Sequence, residues 1–208
     1  LDYIVEDGEA LFIGGNFWDG RATGWELGNP AADQAQGPFL NPVEQALPDN
    51  ACVVYRVCEG RYGALFDEVW PEACMIAWPG NGVVNQQCVK SDGMVPLSQE
   101  ERDKVDAAYD MIALSIAAFE DSPASNAFSS KLDAVRAGET TFTDQELLGR
   151  DVFRGKGMCI ACHVGSPPPA PGEPDLKPPL LTDFTFDNLG VPRNPLNPAS
   201  IADPTWAD

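Results

Sequence analysis

The sequence predicts a mainly α protein, made of helical domains with long loops and little or no strand. Three observations carry this. Two segments open with capping boxes and continue with apolar residues at helical spacing. No segment alternates apolar and polar residues as a half-buried strand does. The 19 glycines and 19 prolines in 208 residues leave long stretches to loops.

Taken in order, residues 1–30 mix glycine with large aromatics, from Phe12 to Trp25. So many glycines break regular elements, and the stretch reads as tight turns that let backbone approach something bulky. Pro30 to Pro38 has room for one helical turn or two. Asn41-Pro42-Val43-Glu44-Gln45-Ala46 reads as a helix start, with Asn41 as cap and Pro42 in the first position. Cys52 to Val57 is a short apolar stretch. Tyr62 to Trp70 reads as a helix with Leu65, Phe66 and Val69 on one face. Residues 71–97, with cysteines, prolines and glycines, read as a long loop that a disulfide ties down.

Ser98-Gln99-Glu100-Glu101 opens the clearest helix. Val105, Tyr109, Ile112, Ile116 and Phe119 recur along it at spacings of four and three, forming a core face, and Pro123 ends it. Residues 121–142 read as a connection with a short helix from Phe128 to Val135. Thr143-Asp144-Gln145-Glu146 then caps a helix with Leu147, Leu148, Val152 and Phe153 as its apolar residues, broken by Gly155-Lys156-Gly157. Pro167 to Pro179 reads as an extended, exposed loop. Beyond it, Phe184 and Phe186 are aromatics placed to cover a cofactor edge, and residues 192–208 have no periodicity.

The broken helix leads into Cys159-Ile160-Ala161-Cys162-His163, the C-x-x-C-H attachment signature of a c-type haem. Two thiols three positions apart add to the two vinyl groups of one porphyrin, and the histidine falls under the iron as proximal ligand. His163 is the only histidine in the chain. The alternative, a redox dithiol, needs a βαβ pattern that the sequence lacks.

Charge and cysteine usage narrow the function. Against 13 basic residues stand 32 acidic ones, a formal net charge of −19. This excludes nucleic acid, which demands a basic footprint. It suits a small basic electron carrier, or serves solubility alone. Cys52, Cys58, Cys74 and Cys88 read as disulfides, because haem c is matured on the oxidising side of a membrane. Three pairings are open; the most local, Cys52 with Cys58 and Cys74 with Cys88, is the preferred one. A zinc site is disfavoured by the want of a second C-x-x-C or a spare histidine. No run is long and apolar enough to span a bilayer.

Four stretches away from the haem motif carry a resemblance. Phe17-Trp18-Asp19-Gly20-Arg21-Ala22, then Asp33-Gln34-Ala35-Gln36-Gly37-Pro38, then Asn41-Pro42-Val43-Glu44 resemble the first domain of bacterial dihaem cytochrome c peroxidases, a superfamily that includes the methylamine-utilisation maturation oxidases. Phe184-Thr185-Phe186-Asp187-Asn188-Leu189-Gly190-Val191-Pro192 resembles the second domain. The resemblance implies two cytochrome c-like domains. Residues 1–97 would be part of the first, peroxidatic domain with its Cys-containing loop, 98–142 connecting helices, and 143–208 the start of the second, electron-transfer domain.

It implies, further, that Trp18 lies between two haems and helps electrons pass, and that Gln34 and Glu44 line the peroxide pocket. A carboxylate over the iron can shuttle the proton that heterolysis of a peroxide requires, and Glu44 would do this, with Gln34 hydrogen-bonding the bound oxygen. Arg21 would pair with a haem propionate or a carboxylate. The implied partners are hydrogen peroxide and a small soluble electron donor, a cytochrome c or cupredoxin, in the periplasm or another exported location. A calcium ion and a homodimer are compatible with it. The chain departs from the pattern in having no C-x-x-C-H ahead of Trp18, so it reads as an internal piece of a longer protein. A non-enzymatic monohaem cytochrome and a maturation-type oxidase acting on a protein are the alternatives.

Overall fold

The computed structural model describes residues 2–6, 9–165, 179–187, 190 and 192. The expected proline-rich loop lies almost wholly outside these, as does the segment from 193 onward. The protein is mainly α. Its elements are a hairpin of β1 (Asp2–Glu6) and β2 (Glu9–Ile13), then α1 (Pro30–Leu40), α2 (Asn50–Cys58), α3 (Gly63–Val69), α4 (Asn81–Cys88), α5 (Gln99–Glu120), α6 (Lys131–Arg136) and α7 (Asp144–Arg154), followed by a 3-10 turn at Cys159–Ala161. The hairpin is a correction, since no strand was expected there. Its register pairs Asp2 with Ile13 and Glu6 with Glu9.

The chain forms two compact units. The first runs from Gly15 to Ser125; the second joins Asp2–Gly14 to the segment from Asn126 onward. The division differs from the expected one at both ends: the hairpin belongs with the haem-motif segment, and α5 is the spine of the first unit rather than a connection.

In the first unit α5 works with two faces. Val105, Tyr109 and Ile112 are buried on the side of α5 that meets α2, as the spacing predicts, with Ile116 half-buried. Phe119, expected in the same stripe, is exposed. The second face is made of alanines. Ala113 and Ala117 pack on Ala32 and Ala35 of α1, side chains small enough to bring two helices close. Tyr109 adds a polar tie, its hydroxyl donating to the Gln36 carbonyl; burial, then the nearby Asp110 carboxylate, pushes the phenol up to about 12. Helix α3 buries Phe66 but leaves Leu65 and Val69 exposed, so only part of its expected face is covered.

The long stretch 71–97 contains α4 and is stapled, but not as expected. The disulfides join Cys52 to Cys88 and Cys58 to Cys74. The local pairing is geometrically closed. Cys52 and Cys58 lie on one helix, α2, where six residues rise about 9 Å, beyond the Cα separation a disulfide spans.

One buried ion pair fastens this region. Asp49 caps α2 by accepting from the Ala51 N–H at 3.0 Å, accepts from the Val95 N–H at 2.8 Å, and takes both arms of Arg102 at 2.6 and 3.1 Å. Burial opposes the charged carboxylate, but the Arg102 hydrogen bond and the two N–H donors outweigh it and hold Asp49 below its ordinary 3.8. A depressed folded value means stability that is full above the ordinary value and is lost as pH falls through the folded one. Asp49→Ala leaves Arg102 half-buried without a counter-charge, held only by the Asn50 side chain and the Val95 carbonyl, and is expected to cost about 3 kcal/mol. Urea unfolding at neutral pH checks this; below pH 3.8 the gap between wild type and variant should narrow.

Candidate functional site

In the second unit the haem motif is delivered by a firmly set helix. Thr143 and Glu146 form the reciprocal capping box predicted for α7. Lys131 of α6 reaches Glu146 at 2.6 Å. The Lys131 ammonium, then the Thr143 N–H and hydroxyl, hold the Glu146 carboxyl down at about 2, so the cap persists above its ordinary 4.5 and weakens only as pH falls toward that lower value. After Arg154 the chain turns sharply. The Gly157 N–H donates to the Val152 carbonyl at 2.8 Å, and a Cβ at Gly157 would stand 2.7 Å from that oxygen. Only glycine fits this close approach.

The 3-10 turn that follows sets the chemistry. Residues three apart eclipse in such a turn, which puts Cys159 and Cys162 on one face. Both thiols are free and exposed. The His163 N–H closes the turn on the Cys159 carbonyl at 2.9 Å. Its ring Nδ1 lies 2.8 Å from the Leu181 carbonyl oxygen. Donation from Nδ1 fixes the tautomer and leaves Nε2 as the ligating nitrogen. Phe153 of α7 tilts against the ring, with centroids 6.2 Å apart.

The imidazole faces a cavity of about 440 Å³, walled by Leu132, Val135, Phe142, Phe153, Ile160 and Leu181 and edged by Arg136, Arg150 and Arg154. Helix α7 buries none of its residues; Leu148 and Val152 are exposed although the helix is amphipathic. An apolar wall, arginines in the lining, two free thiols and a tautomer-fixed histidine fit a covalent haem, whose propionates the arginines would be able to pair with. Phe184 and Phe186 remain exposed. One acidic cluster occurs among the described residues, Cys162 with Asp183 and Asp187. Asp183 is already engaged by the Thr185 N–H and hydroxyl, and thioether formation would consume Cys162, so the cluster does not identify the expected calcium.

The first unit holds the other named residues. Asn16 and Ala22 pair across a small loop whose tip carries Trp18, fully exposed. The Phe17 ring lies against Gly37 of α1, where a Cβ would come within 3.2 Å. Gln34, one turn earlier and half-buried, shares that face of the helix. Arg21 is bound to Asp19 at 2.8 and 2.9 Å and stacks 3.8 Å over Phe17.

Glu44 is not on a helix. Asn41 ends α1 instead of starting another, and residues 42–45 form turns. The Gln45 N–H returns to the Pro38 carbonyl and the Leu47 N–H to Phe39. Pro48 restricts Leu47 to extended backbone, which leaves too few residues for a helix. Glu44 is exposed on this turn. The structure thus gathers Trp18's loop and Gln34 on one face of α1, with Glu44 just past its C-terminus.

Sequence reading missed Asp33. Its carboxylate accepts from the N–H groups of Gly24, Glu26 and Leu27 at 2.7, 3.4 and 2.9 Å and ties that loop to α1 beside Gln34. An aspartate in the first turn of a helix after a glycine-rich loop was the available signal.

The profile of the family described as "Di-haem cytochrome c peroxidase" matches residues 8–141, and the chain belongs to that family. It is 30% identical over 189 residues to the methylamine utilization protein MauG of Paracoccus denitrificans, covering 90% of this chain and 39% of that protein. Among solved structures it is similar to the diheme peroxidase BthA of Burkholderia thailandensis (TM-score 0.59, 24% identity, 92% of this chain and 38% of that one). It is likewise similar to that protein's Y463M variant (TM-score 0.61, 23% identity, 96% and 40%). The chain therefore spans about 40% of the length of these relatives.

Proposed function

We propose that this chain is the part of a periplasmic di-haem peroxidase that takes in electrons through a haem c on Cys159, Cys162 and His163, and that supplies Trp18, Gln34 and Glu44 to a second haem where hydrogen peroxide is reduced to water. The observation that carries this is the His163 imidazole, its Nδ1 held by Leu181 and its ring open to an apolar cavity beside two free thiols. Family membership supports the peroxidase reading. Haem, when bound, supplies a redox-active iron that accepts donor electrons singly.

The chain's own groups do the rest. The proximal imidazole, donating to a carbonyl, is more basic and favours the ferric state. Glu44, next to water, moves a proton from the near to the far peroxide oxygen. Gln34 orients the substrate, and Trp18 is the aromatic through which electrons pass. The balance is one peroxide, two electrons and two protons to two waters. The two disulfides support export to an oxidising compartment. No helix among the described residues is long and apolar enough to cross a membrane. The −19 net charge supports a basic donor.

The test is peroxide-dependent oxidation of a reduced basic cytochrome c by the haem-loaded full-length protein. Two donors oxidised per peroxide, at a rate that falls with salt, is expected; no oxidation above the peroxide-only rate contradicts it. The similarity to MauG favours a second reading, in which the same framework oxidises a protein substrate. Peroxide consumption that needs a co-added protein and leaves small donors untouched would select it.

A further inference from the structure

Leu181, whose carbonyl holds His163, begins a short segment whose far end is pinned to the N-terminal hairpin. The Gly14 N–H donates to the Phe184 carbonyl and the Phe186 N–H to the Phe12 carbonyl, each at 2.9 Å. Ile13 and Thr185 form the antiparallel bridge between them. The edge of β2 thus gains a second, short partner beside β1, and that partner is the segment carrying the histidine's acceptor.

The intervening backbone is held in an unusual form. Leu181 and Phe184 have φ of 56° and 63°, a region that side-chain-bearing residues occupy only when their surroundings impose it. Internal ties brace the segment: Thr182 accepts from the Phe184 N–H at 3.0 Å, and Asp183 accepts from the Thr185 N–H and hydroxyl at 3.0 and 2.8 Å. Only four residues separate Leu181 from Phe186, so freeing the far end loosens the near one.

We propose that Phe12–Gly14 is a positioning element for the proximal histidine: by pairing with 184–186 it fixes the Leu181 carbonyl under His163 Nδ1 and thereby tunes the iron. This rests on haem attachment at His163. The hairpin edge touches neither haem nor substrate; it acts through the 181–186 segment on the basicity of the imidazole. A strong Nδ1–H donation favours ferric iron, so loosening the pairing raises the reduction potential of this haem.

The experiment compares Phe186→Pro, which loses the N–H given to Phe12, with Phe186→Ala, which keeps it, both in the full-length haem-loaded protein. Covalent haem is first verified in each. Expected is a higher midpoint potential in the proline variant, with faster exchange of the His163 ring N–H in the reduced protein. That exchange should rise on the order of fivefold, the loss of one net hydrogen bond. The alanine variant should match wild type in both. Equal potentials and exchange rates in the two variants overturn the proposal and leave haem attachment standing, whereas absence of covalent haem in wild type overturns both.

Should the proline variant not accumulate, hydrogen exchange of the wild type decides. The Gly14 and Phe186 amides should be protected and should open together with the His163 ring N–H as denaturant rises. Unprotected amides beside a protected ring proton contradict the clamp.

Discussion

Replacing Cys159 and Cys162 together by alanine should give a chain that carries no haem at this position after denaturing extraction. The two thiols are the groups on one face of the 3-10 turn and neither is engaged in a disulfide; without them nothing covalent holds a porphyrin against the α6–α7 cavity. His163 alone, with Leu181 behind it, leaves a dissociable ligand. The variant should therefore lose turnover with an external electron donor, to the background level. The rest of the chain should survive, because the core of the first unit, built on Val54, Val84, Val95 and Val105 and the two disulfides, draws nothing from the haem motif. Donor-driven turnover at the wild-type rate would mean that electrons enter elsewhere. Absorption spectra of the denatured protein and steady-state donor oxidation check both halves.

Glu44→Gln should lower peroxide turnover by about two to four orders of magnitude, the range that a positioned acid–base group contributes. The amide keeps the size and the hydrogen-bonding reach of the side chain but cannot take up and return a proton. Glu44 is exposed on a turn whose backbone hydrogen bonds run from the Glu44 N–H to Asn41 and from the Gln45 N–H to Pro38; none involves its carboxylate. Folding and haem content should thus be untouched, and the loss should appear in kcat more than in the donor KM. Turnover within twofold of wild type would assign the proton transfer to another group.

How much of this was legible beforehand depends on the kind of signal. Caps were legible. Ser98 and Thr143 cap their helices as read, but only Thr143 completes a reciprocal box, since Glu101 turns its carboxylate to the Ala77 N–H and Lys104 instead of back to Ser98. The C-x-x-C-H segment is read as a haem motif from a spacing that the attachment chemistry fixes, and that reading stays a proposal. The alanine face of α5 was not legible, since Ala113 and Ala117 contribute little to an apolar pattern yet pack where large residues cannot. The hairpin was passed over because its strands do not alternate. Long-range partners were hidden altogether. Asp49 with Arg102, Cys52 with Cys88 and His163 with Leu181 are set by how helices and loops meet, and no local spacing encodes them.

The central claim, a haem c bonded through Cys159 and Cys162, is tested most directly by mass spectrometry of the haem-loaded wild-type protein cut with trypsin. The peptide that begins at Gly157, after Lys156, should weigh more than its sequence by one haem and carry no free thiol. The same peptide at its bare sequence mass, with both thiols open to alkylation, would contradict the claim.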